Sequence, residues 1–263
     1  TVVVTPSWAN KEVKTHADEK GCWELQITTP AASFEEYTLT LTDGEQSVTL
    51  QHLLIGEVWL CAGQSNMVMP LNGFDYCPIS DSNNVIADAP NHPGIRMVTI
   101  KPTVKLSPQE YAEGSWQQPT TENAPKFSAA AYHYALTLQR TLQIPIGVIT
   151  CAWGGSRVEG WLPKEILQTY KDEDLTLIGS DKTPVYLQSM LMYNGILYPC
   201  HKYTIKGFIW YQGESNVRNS RTYAERLATM VKHWRSIWKQ GDLPFYYVEI
   251  VPFACEYKED GYI

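Results

Sequence analysis

The 263 residues contain no Cys-x-x-Cys pair, no long apolar run and no surplus of basic charge. A membrane-spanning helix needs roughly 18–20 consecutive apolar residues, and no stretch provides them. Asp and Glu outnumber Lys and Arg by 28 to 21, a formal net charge of −7. A nucleic-acid partner requires a basic face and an anionic membrane a polybasic anchor, so neither is expected. The six cysteines, Cys22, Cys61, Cys77, Cys151, Cys200 and Cys255, are dispersed. That spacing gives no metal or redox motif, and neither metal nor cofactor is expected. Cys61 and Cys151 lie in apolar, strand-like runs and read as buried free thiols. Cys77 and Cys200 fall in loops and could pair in an oxidising compartment. No repeat and no low-complexity tract is present. No secretory leader is written either, since residue 1 opens directly into Thr1-Val2-Val3-Val4-Thr5. If exported, the chain is a mature or trimmed form.

Phe is scarce at 6, against 9 Trp and 16 Tyr. Aromatics with a polar handle suit surfaces that stack on sugar rings and hydrogen-bond as well. Packing in the core is the commoner use, and is expected for most of them.

Two textures follow one another. Residues 1–54 read as a small β module. Thr1–Thr5 and Cys22–Thr28 are strand-like, and Tyr37–Thr42 and Ser47–His52 alternate apolar and polar around Asp43-Gly44, a hairpin signal. From residue 55 to 263 the pattern is α/β. Glu57–Ala62, Ile95–Ile100, Ile144–Trp153, Ile205–Tyr211 and Pro244–Val251 are apolar runs of strand length. Helical stretches at Phe127–Gln143 and Tyr223–Trp238 separate them, the second with apolar residues at three- and four-residue steps. Buried strands alternating with helices predict a mostly parallel sheet covered on both faces, a three-layer α/β/α fold. Residues 70–94 read as a long loop, and such loops are often functional.

Ligands of an open parallel sheet bind at the carboxyl ends of its strands. Three strands end in unusual polar segments: Gly63-Gln64-Ser65-Asn66-Met67, Trp153-Gly154-Gly155-Ser156-Arg157, and Trp210-Tyr211-Gln212-Gly213-Glu214-Ser215-Asn216. Ser65 is a candidate nucleophile for ester hydrolysis, which needs a nucleophile, a base and donors to a developing oxyanion. A serine at a strand-to-helix turn is equally well an N-cap. Gly-x-Ser-x-Gly is absent because position 67 is Met, so this is not a nucleophile elbow. The N–H of Gly155 and the side-chain amide of Gln212 could serve an oxyanion. A glycine needed only for the turn, and a buried amide satisfying loop carbonyls, are the plainer readings. Glu214 could orient a base, bind a substrate hydroxyl or cap a helix. Arg157 could pair with Glu214 or with an acidic substrate, or sit on the surface.

Taken together, these segments resemble the sialate O-acetylesterase family of SGNH (GDSL-type) hydrolases. The similar stretches are GEVWLCAGQSNM at 56–67, FSAAAYHYALTLQRTLQIPIGVITCAWGGSRVEGW at 127–161, YNGILYP at 193–199, IKGFIWYQGESN at 205–216 and GDLPFYYVEI at 241–250. They cover most of residues 55–250 in order. The β-rich start is similar to the end of the module that precedes the catalytic domain in that family. The resemblance implies an SGNH-like esterase domain with Ser65 as nucleophile and an oxyanion hole from Ser65, Gly155 and Gln212. Gln212 would replace the superfamily's asparagine, as both side chains end in a primary amide. Gln64, Asn66, Arg157, Glu214 and Asn216 would line the site or support it. The implied reaction removes acetyl groups from sugar hydroxyls, most directly O-acetylated sialic acid, through an acetyl-serine, in a periplasmic, secreted or lysosomal setting.

One departure stands out. The family's closing segment supplies an Asp and a His, and no such pair occurs in these residues. His16, His52, His92, His133, His201 and His233 occupy other places, with His92 and His201 as loop-borne fallback candidates. A serine without a base is a weak nucleophile. A fragment whose His lies on a second polypeptide fits best, since the abrupt β start and the uncapped tail Glu256–Ile263 suggest a piece cut at both ends. A truncated chain and a degenerate, non-catalytic sugar-binding relative are the alternatives. An acetyl-xylan-type polysaccharide esterase is a further reading with the same chemistry.

Overall fold

A computed structural model describes residues 1–9 and 11–251. Cys255 and the tail Glu256–Ile263 lie outside the described residues.

The first four strands, β1 (Val2–Pro6), β2 (Val13–Thr15), β3 (Ser33–Thr42) and β4 (Ser47–Ile55), form an antiparallel sheet in the order β2-β1-β3-β4. The hairpin around Asp43-Gly44 is present, with Thr42 paired to Ser47. The Asp43 carboxylate accepts the N–H groups of Glu45 and Gln46 at 2.9 and 2.7 Å, which closes the turn. The expected strand at Cys22–Thr28 is a correction: that stretch is irregular, and the short β2 lies at Val13–Thr15 instead. Glu24 and Gln26 interrupt the apolar run there, and the edge place goes to residues nearer β1.

The second sheet is parallel throughout. Its strands are β5 (Glu57–Gly63), β6 (Ile95–Thr99), β7 (Ile146–Ala152), β8 (Gly207–Tyr211) and β9 (Phe245–Tyr247), in the order β6-β7-β5-β8-β9. Alternation at period 2 divides their side chains between two cores. Leu60, Ala62, Ile149, Cys151, Phe208 and Trp210 face one layer. Trp59, Cys61, Ile146, Val148, Ala152 and Ile209 face the other. Helices α1 (Ser65–Val68), α2 (Ser82–Asp88) and α3 (Ala129–Leu142) lie on the second side. The short α4 (Lys164–Leu167) and the long α5 (Ser220–Trp238) lie on the first. The result is the three-layer α/β/α arrangement.

Most tryptophans are structural. Trp161, Trp210 and Trp234 are mutually edge-on, with centroids 5.6–6.5 Å apart. Each indole N–H is satisfied, by Ser156 Oγ, Tyr223 Oη and the Trp161 carbonyl respectively. Helix α2 falls inside the stretch expected to be loop. Its Ser-Asn-Asn start is a poor helix signal, and no residue in it is buried. Cys200 is another correction. It is buried, with its sulfur 3.9 Å from that of Cys151, while Cys77 is exposed, and both are free thiols.

Candidate active site

The parallel register brings three strand ends level. Gly63 of β5 aligns with Ala152 of β7 on one side and Tyr211 of β8 on the other. Their loops therefore leave the sheet at one height and close on each other. The Trp153 N–H donates to the Gly63 carbonyl at 3.1 Å, and the Gln64 N–H to the Tyr211 carbonyl at 3.0 Å. The buried Gln64 side chain accepts from the N–H groups of Gly213 and Ser215 at 3.4 and 3.2 Å. Ser215 Oγ donates to the Gly155 carbonyl at 2.8 Å. Each loop is thus bonded to the other two.

Gly63 cannot be another residue. Its φ is +148°, and a Cβ would meet the Tyr211 carbonyl oxygen at 2.0 Å. The sharp departure it permits starts α1 at Ser65, half-buried at the rim of the cleft. Ser65 is not an N-cap. The N-cap is Gln64, and it makes no side-chain cap bond. Ser128 shows what capping looks like in this chain: its Oγ accepts the Ala131 N–H at 3.2 Å at the start of α3. Structural use of the Ser65 hydroxyl is therefore removed as an explanation for it.

The Gly154-Gly155 turn lies against Ser65. A Cβ built on Gly154 would stand 3.9 Å from that of Ser65. Gly155 has φ +76°, and a Cβ there would strike the Tyr186 ring at 2.7 Å. Among the described residues, the N–H groups of Ser65 and Gly155 donate to no protein acceptor. They remain available to a ligand oxygen.

Gln212 is placed differently from a free donor. Only 2 % exposed, it gives both amide hydrogens away, to the Ser156 carbonyl at 3.0 Å and to Asn216 Oδ1 at 2.8 Å. Its own oxygen accepts from Tyr223 Oη at 2.9 Å, and burial pushes that phenol up to about 12, so it stays a donor. The amide joins an oxyanion hole only by releasing one of these bonds. Asn216 is likewise internal. It accepts from the Val158 N–H at 2.9 Å and donates to Glu159 at 2.9 and 3.2 Å.

Glu214 faces Ser65's neighbour. Asn66 Nδ2 donates to Glu214 Oε1 at 2.5 Å, while Oε2 is shielded and has no hydrogen-bond partner. Arg157 does not pair with Glu214, which corrects one expectation. Its guanidinium meets Glu173 at 2.7 and 3.3 Å and the Leu187 carbonyl at 3.0 Å. A buried ion network that sequence reasoning missed lies beneath. Fully buried Glu159 binds Arg226 as well as Asn216, and Arg226 reaches Asp172 at 2.6 Å and lies 4.7 Å over the Tyr170 ring. Two signals in the sequence point to it. Glu159 interrupts the apolar Val158–Trp161 turn, and Arg226 falls on the buried stripe of α5, between Tyr223 and Met230.

None of the six histidines is joined to Ser65 by a hydrogen bond. His52 meets Glu36 at 2.7 Å, His201 the Tyr198 carbonyl at 2.6 Å, and His233 the Tyr193 hydroxyl at 2.8 Å. His92 meets Asp88 at 2.9 Å, and it precedes the edge strand β6, at the amino end of the parallel strands, whereas Ser65 follows the carboxyl end of the central β5. His16 and His133 lie on the β2 end and on α3. The fallback candidates His92 and His201 are therefore occupied elsewhere. Among the described residues, no cluster of His, Cys, Asp and Glu could hold a metal ion.

A Ser hydroxyl and unpaired N–H donors at one strand-end cleft are two of the three requirements of acyl transfer, the third being a base. Comparison with known proteins gives the same direction. Residues 55–261 match the family model described as carbohydrate esterase, sialic acid-specific acetylesterase. The sialate O-acetylesterases of Homo sapiens and Pongo abelii are each 27% identical over 241 residues, covering 87% of this chain and 45% of theirs. The crystal structure of a carbohydrate acetylesterase from Xanthomonas citri superposes with a TM-score of 0.82 at 29% identity, covering 94% of this chain and 52% of that one. The chain thus spans about half the length of the relatives it matches.

Proposed function

The chain belongs to the sialic acid-specific acetylesterase family of carbohydrate esterases, and we propose that it removes O-acetyl groups from a sugar with Ser65 as the nucleophile. The observation that carries this reading is the placement of Ser65. It stands at a three-loop cleft, free of any capping role, beside the unpaired N–H of Gly155. In the proposed reaction Ser65 Oγ attacks the acetyl carbonyl and passes its proton to a base. The N–H groups of Ser65 and Gly155 hold the oxyanion. Collapse, with that proton returned to the leaving oxygen, expels the sugar hydroxyl and leaves an acetyl-serine, which water, deprotonated by the same base, hydrolyses to acetate and free Ser65. Gln212 supplies a third donor by exchanging its bond to Ser156 or Asn216 for one to the substrate oxygen. Gln64, Asn216 and Arg157 hold the loops in place. Glu214, fixed by Asn66, offers its unpartnered Oε2 to the base or to a sugar hydroxyl.

None of the six histidines is bonded to Ser65: four have other partners, and His16 and His133 lie on the β2 end and on α3. We assign the base to a His, oriented by an Asp, on polypeptide beyond these residues, whether continuous with them or a separate fragment. An extracytoplasmic setting belongs to the same proposal. Among the described residues no helix is long and apolar enough to cross a membrane.

The test is acetate release from O-acetylated sialic acid by Ser65→Ala, with circular dichroism as control for folding. Measured in the protein that also carries the Asp/His segment, a loss of about 10⁴-fold or more is expected. An unchanged rate contradicts the reading. Release from acetyl-xylan in preference to the sialic acid ester would move the same chemistry to a plant polysaccharide.

A further inference from the structure

A cavity of about 600 Å³ opens beside the nucleophile, within the size range of small-molecule sites. Two of its lining residues tie it to the cleft. Val68 is one turn of α1 from Ser65, and Ala152 is the β7 residue aligned with Gly63. Its far wall is the loop after α1, where a tight turn from Phe74 to Cys77 presents two aromatic rings. The N–H groups of Phe74 and Cys77 exchange bonds with each other's carbonyls at 3.1 and 2.9 Å. Phe74 and Tyr76 stack with centroids 5.5 Å apart and planes 17° from parallel, and Tyr76 is 85 % exposed. The stacked pair gives the cavity an aromatic wall of the kind that lies against sugar rings.

Two further features describe the occupant. Thr150 on the cavity wall is only 3 % exposed, and its hydroxyl has no hydrogen-bond partner. A buried hydroxyl without a partner is destabilising, and a polar ligand would relieve it. Lys126 also lines the cavity, and among the described residues its ammonium has neither an ion-pair nor a hydrogen-bond partner. The position of its backbone is fixed relative to the aromatic pair. The Leu71 N–H donates to the Phe127 carbonyl at 2.8 Å and the Asn72 N–H to the Pro125 carbonyl at 3.2 Å, one on each side of Lys126. Asp75 shares the wall and can accept sugar hydroxyls.

We propose that this cavity is the subsite for an acidic sugar, with Lys126 meeting the sugar's carboxylate and the Phe74–Tyr76 pair lying against its ring. The proposal rests on Ser65 as the esterase nucleophile and specifies which part of the substrate lies where. It also separates a sugar acid from a neutral xylan residue, which has no carboxylate for Lys126.

Binding tests it without turnover. Calorimetry would compare sialic acid with its methyl ester, on the unsubstituted protein and on Lys126→Met, Lys126→Arg and Tyr76→Ala. The unsubstituted protein is expected to prefer the acid by about tenfold or more, the order a charge-assisted hydrogen bond supports. Lys126→Met abolishes the preference, Lys126→Arg keeps it, and Tyr76→Ala weakens both ligands alike. Equal affinities for acid and ester, no binding of either, or a preference that survives Lys126→Met overturns the proposal. Hydrolysis of p-nitrophenyl acetate by the protein that also carries the Asp/His segment, compared with its Ser65→Ala variant, reports on Ser65. Equal rates alongside an intact acid preference would defeat the nucleophile assignment and leave the subsite standing.

Discussion

At the residue scale the site depends on backbone that only glycine can supply. Gly63 lets β5 turn into α1, and Gly155 gives the second loop the turn from which, in the proposed mechanism, its N–H meets the substrate oxygen. Gly155→Ala forces a Cβ onto a φ of +76° and against the Tyr186 ring. That is expected to cost about 1–2 kcal/mol of stability and to lower acetate release about 10²-fold through the displaced donor. A thermal melt with a parallel rate measurement checks both, and a rate at the wild-type level would remove Gly155 from the oxyanion hole. Ser65 and the two glycine turns were legible from the sequence because strand ends and Gly-rich turns carry local signals. What each side chain bonds to was not. Gln212 donates to Ser156, 56 positions away, and Arg157 finds Glu173 rather than Glu214. Partner choice across such separations is settled by packing, which no local pattern encodes.

At the element scale, period and length made the parallel strands and the two long helices readable, because strands buried on both faces and amphipathic helices repeat their signal over many residues. Short, weakly amphipathic pieces escaped, namely α2 and β2, and the β pattern at Cys22–Thr28 misled. Helix α5 holds the third loop from behind through Arg226, which is 2 % exposed and bound to the buried Glu159. Arg226→Met leaves that buried carboxylate with only the more distant Arg157, at 3.8 Å, and the Asn216 amide. A loss of about 3–5 kcal/mol is expected, read as a lower urea midpoint, together with slower acetate release as Asn216 and Gln212 lose their anchor. A midpoint unchanged by the substitution would show the network to be dispensable. His233, on the same helix, gives a pH signature. Burial holds its imidazole below the ordinary value, although Glu165 pushes the other way. The folded state therefore favours the neutral ring, and the unfolded chain binds more protons as pH falls through about 6.5. This contribution is complete above that pH and is lost as pH drops toward the depressed folded value. His233→Gln should flatten the fall in melting temperature between about pH 7 and pH 5, and an identical fall in both proteins would contradict it.

At the scale of the whole molecule, the proposed mechanism draws its nucleophile, backbone donors and sugar cavity from the described residues, none of whose histidines is bonded to Ser65. Activity is therefore expected to depend on a segment bearing a His and an Asp, and adding that segment to the chain should raise acetate release by about 10³-fold or more. Full activity of residues 1–263 alone would contradict this. The central claim, that Ser65 carries the acetyl group between sugar and water, is tested most directly by trapping that state. The active protein would be acid-quenched during turnover of O-acetylated sialic acid, digested and mapped by mass spectrometry. The account predicts an acetyl group on Ser65, absent from Ser65→Ala. Undiminished turnover by Ser65→Ala, with no acetylated Ser65 in the unsubstituted protein, would contradict it.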